Sequence, residues 1–73
     1  MGKLRIMNRT GDRTLTWDVS EKDAVKEAER IFREHQEAGA TAFSVGSDGE
    51  TGQITKFDPL AEQIVMVPRI AGG

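Results

Sequence analysis

Between Ser20 and Gly39 the sequence holds one helical repeat, and no second stretch of the chain repeats with that period. Ala24, Ala28, Ile31 and His35 recur three to four residues apart, and Val25 and Phe32 widen the apolar stripe. Lys22, Lys26, Glu27, Arg30, Arg33, Glu34 and Glu37 occupy the opposite side, mixed in sign except for the like-charged Lys26–Arg30 spacing. Ser20 is placed to cap the helix start, with Glu21 and Asp23 at the positive end of its dipole. Gly39 stops it, as a left-handed residue after the last turn does. Every other structured stretch alternates or runs apolar, as strands do. One helix cannot cover two sheet faces, so the chain is expected to form one sheet folded around one helix.

The strands are read in order. Leu4-Arg5-Ile6-Met7-Asn8 alternates, with Leu4 and Ile6 on one face. Arg9 to Arg13 is turn chemistry, in which Gly11 takes positive φ and Asp12 hydrogen-bonds locally. Thr14 to Val19 alternates again, with Leu15, Trp17 and Val19 inward, so the two runs make a hairpin. Thr41 to Val45 places Thr41, Phe43 and Val45 on one face. A glycine-rich loop over 46–52 follows, then a short edge strand over Gln53 to Phe57, then a turn from Asp58 to Glu62. Ile64 to Val67 is apolar at every position, as in a central strand with both faces covered or with one face used for recognition. The fold class is therefore α+β, a mixed four- or five-stranded sheet on one helix in the order ββα(β)ββ.

A chain of 73 residues makes one small domain, and a domain of this size buries only about 60% of its unfolded surface. Cysteine is absent, which removes disulfides, thiolate metal sites and thiol nucleophiles and favours a reducing compartment such as the cytoplasm. Ten basic and twelve acidic residues nearly balance, at a net charge of −2, and the basic ones are scattered, so neither nucleic acid nor a membrane surface is an expected partner. No apolar run approaches the roughly 20 residues that span a bilayer, and the N-terminus lacks the apolar core of a signal peptide. Gly2 is not followed by the Ser or Thr of a myristoylation signal, since position six is Ile6.

His35 sits at the margin of the apolar stripe with no second histidine or cysteine to share a metal, so its reading is structural. Asp48-Gly49-Glu50 lacks the ligand series of a calcium loop, and Gly46 to Gly49 lacks the lysine of a phosphate loop. No nucleophile, base and orienting acid fall into a recognisable pattern. The chain reads as a substrate or a binding module rather than a catalyst.

The remaining feature is the end of the sequence, Gln63-Ile64-Val65-Met66-Val67-Pro68-Arg69-Ile70-Ala71-Gly72-Gly73. A strand runs into a proline and then into two glycines, the residue type that loses most entropy on ordering. With the strand, strand, helix, strand, strand order and this length, the ending resembles the β-grasp, ubiquitin-like family. Its tail is most similar to that of the prokaryotic sulfur-carrier proteins of molybdopterin and thiamin synthesis, with Pro68, Ile70, Ala71, Gly72 and Gly73 in register. Arg69 stands where those carriers commonly have a second proline and is similar instead to the basic tail of ubiquitin. Protein modifier and sulfur carrier both stay open.

The resemblance implies a domain over 1–67 and a flexible tail over 68–73. It also implies that an E1-like enzyme spends ATP to adenylate the Gly73 carboxylate, with no cofactor bound by this chain. The acyl group then passes to a target-protein lysine or receives sulfur for a sulfur-accepting enzyme. Glycine at both last positions lets the backbone thread a narrow channel without a Cβ. Pro68 and Ile70 hold the stem extended, beside Ala71. Arg69 reads equally as a solvated charge or as an anchor that pairs bidentately with a carboxylate. Either Ile64 and Met66 or Val65 and Val67 would supply an exposed apolar partner surface, since alternation separates the pairs without saying which faces out. The competing reading is a β-grasp interaction module with an incidental Gly-Gly ending.

Overall fold

The computed structural model describes residues 2–7 and 11–69. Five strands and one helix follow in the order β1 (Gly2–Ile6), β2 (Arg13–Trp17), α1 (Lys22–Glu37), β3 (Thr41–Val45), β4 (Thr51–Ile54) and β5 (Gln63–Val67). They form a single mixed sheet with the spatial order β2-β1-β5-β3-β4. β1 pairs antiparallel with β2 and parallel with β5, while β3 pairs antiparallel with both β5 and β4. β2 and β3 therefore run the same way with two strands between them, and α1 crosses the sheet to join them. The architecture is α+β and β-grasp-like, with five strands rather than four.

The apolar residues of α1 face the inner side of the sheet. Ala28, Ile31 and Phe32 close over Leu4 and Ile6 from β1, Trp17 from β2, Ala42 from β3 and Ile64 and Met66 from β5. Strand alternation and register place these strand residues on one face, because paired Cα atoms send their side chains the same way. The Trp17 indole is 1% exposed and donates its Nε1–H to the Pro59 carbonyl at 3.0 Å. Phe57 tilts against Trp17 with ring centroids 5.1 Å apart and meets Phe32 edge-on at 5.8 Å. These aromatics join β2, α1 and the segment after β4 into one core.

Three local expectations are corrected, the first at the short edge strand, which covers Thr51–Ile54 rather than Gln53 to Phe57. β2 ends at Trp17, so Val19 does not continue the inward alternation and is 45% exposed. Ser20 does not cap α1: the residue at the N-cap is Glu21, with no side-chain capping bond. Ser20 instead donates both its backbone N–H and its hydroxyl to Asp18 Oδ1, at 3.0 and 2.8 Å, and a turn forms one step earlier. Asp12 accepts from Arg5 across the hairpin, with Nη2 at 2.7 Å and Nε at 3.1 Å. The helix end is as read. Gly39 has φ +101°, its N–H bonds to the Gln36 carbonyl, and the Ala40 N–H reaches back to His35, a Schellman end.

Candidate functional site

β5 is the middle strand of the sheet, and its two faces have opposite fates. Ile64 and Met66 are 0% exposed in the core under α1, so they are withdrawn as a partner surface. Val65 and Val67 point to the other face and are half-buried. Register then decides their neighbours. Val65 lies opposite Phe43 on one side and Arg5 on the other, and Val67 lies opposite Thr41. Phe43 and Val45 belong to this outer face, because Ala42 is the β3 residue that enters the core. The outer face thus carries an apolar stripe of Val65, Val67, Phe43 and Val45, and no element among the described residues packs over it.

The electrostatics of this face follow from the strand sequences. None of the five strands contains an aspartate or glutamate, so the acidic residues lie in α1 and the loops. Lys3 and Arg5 alternate outward on β1 beside the stripe. Arg5 is held by Asp12, with both side chains well exposed, so the pair orients the guanidinium more than it stabilises the fold. On the far side, Arg30 pairs with Glu27 and with Glu34, the latter at 2.5 Å. The Arg30 hydrogen bond holds the Glu27 carboxyl below its ordinary range and, in turn, raises Arg30. The helix thus carries mixed, paired charges, while the outer sheet face carries the apolar stripe with Lys3 and the Asp12-paired Arg5 at its margin.

At the end of β5 the chain continues through Pro68 and Arg69, both exposed. Because β3 runs antiparallel to β5, the end of β5 lies beside the start of β3 and so beside the C-terminal end of α1. The Arg69 stem lies over Gly39 there: a Cβ on Gly39 would stand 3.1 Å from Arg69 Cδ and 3.4 Å from its Cβ. Ile70, Ala71, Gly72 and Gly73 lie outside the described residues. The register that set Phe43 beside Val65, and the glycine that seats Arg69, had no signal in the sequence, since both are contacts between distant segments.

Elsewhere a groove of about 380 Å³ runs between α1 and the segment after β4, with Phe32 and Phe57 inside and Arg33, Lys56 and Glu29 at its rim. Gln36 Nε2 donates to the Thr55 carbonyl at 2.6 Å across it. The groove brings no nucleophile to a base. Among the described residues no cluster of His, Cys, Asp or Glu is placed to hold a metal ion, and no helix is long and apolar enough to cross a membrane. His35 is half-buried on α1. Compared with known proteins, the chain matches no family model, no curated protein and no solved structure.

Proposed function

We propose that this chain is a ubiquitin-like small protein whose Gly73 carboxylate is activated by an ATP-dependent adenylating enzyme, so that it serves as a protein modifier or a sulfur carrier. The reading rests on the ending Pro68-Arg69-Ile70-Ala71-Gly72-Gly73 and on one structural observation. The strand that leads into that ending is the centre of the sheet, and it shows Val65 and Val67 on an uncovered face. A partner that takes the tail meets this apolar stripe and its Lys3 and Arg5 margin in the same approach. Such a partner presents apolar side chains ringed by carboxylates. Adenylation joins the carboxylate oxygen to the α-phosphate of ATP with release of pyrophosphate, and the resulting mixed anhydride gives the acyl group AMP as its leaving group; all the catalysis belongs to the enzyme. In the modifier case Gly73 joins a target lysine; Lys3, Lys22, Lys26 and Lys56, all exposed, are the lysines available for self-chains.

The second reading is a β-grasp interaction module that binds through the same face and makes no use of the carboxylate. It is favoured by the stripe itself, which needs no tail chemistry to dock a partner. Intact mass of the protein recovered from its native host, beside a form lacking Gly73, separates the readings. Replacement of oxygen by sulfur identifies a carrier, and heavier covalent species that vanish with Gly73 identify a modifier. Unmodified mass in both forms, with partners still co-purifying, refutes the tail chemistry and leaves the module.

A further inference from the structure

We infer that Gly39 is a positioning residue for the C-terminal tail: its bare Cα is the seat on which the Arg69 stem lies. Gly39 already has one reason to be glycine, since φ +101° disfavours every L side chain. The Arg69 contact is a second and independent reason. Cδ, Cβ and Cγ of Arg69 fall 3.1, 3.4 and 3.8 Å from where a Gly39 side chain would begin. Three carbons of one stem at near-contact distance mark a side chain laid along the surface rather than one standing free in solvent.

The location gives the seat its consequence. Pro68 holds the backbone at a fixed φ immediately after β5, and Arg69 is the next residue. A stem tied to Gly39 therefore restrains the chain on both sides of one peptide bond before it continues. The guanidinium is carried beside the C-terminal end of α1, where the helix dipole favours a cation. Among the described residues it takes part in no ion pair. A group so placed keeps its donors for an incoming carboxylate and has already lost much of the stem freedom that docking would otherwise cost. The seat thus presets the root of the tail for an acidic partner. This role rests on the proposed tail chemistry, whereas the seat itself does not.

The full chain tests both layers. By NMR, the Arg69 aliphatic protons are expected to show cross-peaks to the Gly39 α-protons, and the Arg69 amide is expected to be nearly as ordered as that of Val67. Arg69→Ala and Gly39→Asn both abolish that order, while Arg69→Met, which keeps the stem without the charge, retains it. Absent cross-peaks, or equal order at position 69 in all four proteins, overturn the seat. In the native host, the fraction of chain carrying a C-terminal modification is expected to fall on the order of tenfold in Arg69→Ala and Gly39→Asn, as a misplaced reacting group does. Arg69→Met, which keeps the seated stem and loses only the guanidinium contact, is expected to fall less than Arg69→Ala, and Arg69→Ala to keep its melting temperature. If Arg69→Met falls as far as Arg69→Ala, the guanidinium rather than the seat is what the tail needs, and the positioning role fails. If the wild-type chain is modified and all variants match it, the positioning role fails while the proposed function stands. If the wild-type chain carries no modification, the proposed function fails, and the positioning of the tail root is then decided by the NMR readout alone.

Discussion

Single residues in this small domain carry constraints that their chemistry does not announce. Gly2 is one. It opens β1 opposite Trp17, and a Cβ there would fall 2.2 Å from indole Cε2 and Cζ2. The ring is fully packed and cannot retreat, so Gly2→Ala is expected to destabilise the fold by about 1–3 kcal/mol, the usual cost of overpacking, in a urea titration followed by Trp17 fluorescence. Asp18 is another. Two hydrogen bonds from Ser20, the backbone N–H first and the hydroxyl second, lower its carboxyl below the ordinary 3.8. A depressed carboxyl contributes stability above its unfolded value and loses it as the pH falls through the folded one, so this turn begins to weaken as the pH nears 3.8 and goes on weakening below it. A carbon-detected NMR titration is expected to place the Asp18 midpoint below 3.8, and Ser20→Ala is expected to return it only part of the way, because the backbone donor remains.

At the scale of elements, α1 is held by packing more than by its ends. Its N-terminus lacks a side-chain cap, and its surface ion pairs are exposed, so their contribution is small. Ala28, Ile31 and Phe32 supply the stabilising contact with the sheet. Phe32 is 0% exposed and touches Phe57, so Phe32→Ala is expected to cost about 3–5 kcal/mol. Glu34→Ala on the solvent side is expected to change stability by less than about 0.5 kcal/mol. Equal losses from the two variants, measured by thermal unfolding, would contradict this division. The stripe that predicts α1 was legible because its 3.6-residue period is local, and so was its glycine stop. The start was misread at Ser20 because Asp18, two residues earlier, accepts from its N–H and hydroxyl and ties Ser20 into the preceding turn, one residue short of the N-cap at Glu21.

Across the whole molecule, the two faces of β5 assign opposite consequences to adjacent residues. Ile64→Ala removes a fully buried side chain and is expected to cost about 2–5 kcal/mol. Val65→Ser, on the uncovered face, is expected to cost far less while reducing recovery of bound partners from the native host; a variant that unfolds instead would place Val65 in the core. The one-helix, one-sheet architecture, the inward faces of Leu4, Ile6 and Trp17 and the central place of β5 were readable from the order of apolar periods. Those periods are properties of neighbouring residues, and a single helix leaves a single sheet few ways to cover itself. What tertiary structure decided was orientation and encounter. It turned Ile64 and Met66 inward and Val65 and Val67 outward, and set Phe43 beside Val65. It also pressed Gly2 against Trp17 and laid Arg69 over Gly39. An all-apolar strand has no pattern of its own to choose a face, and a glycine has no side chain to show what approaches it. Both are resolved only when distant parts of the chain compete for the same space.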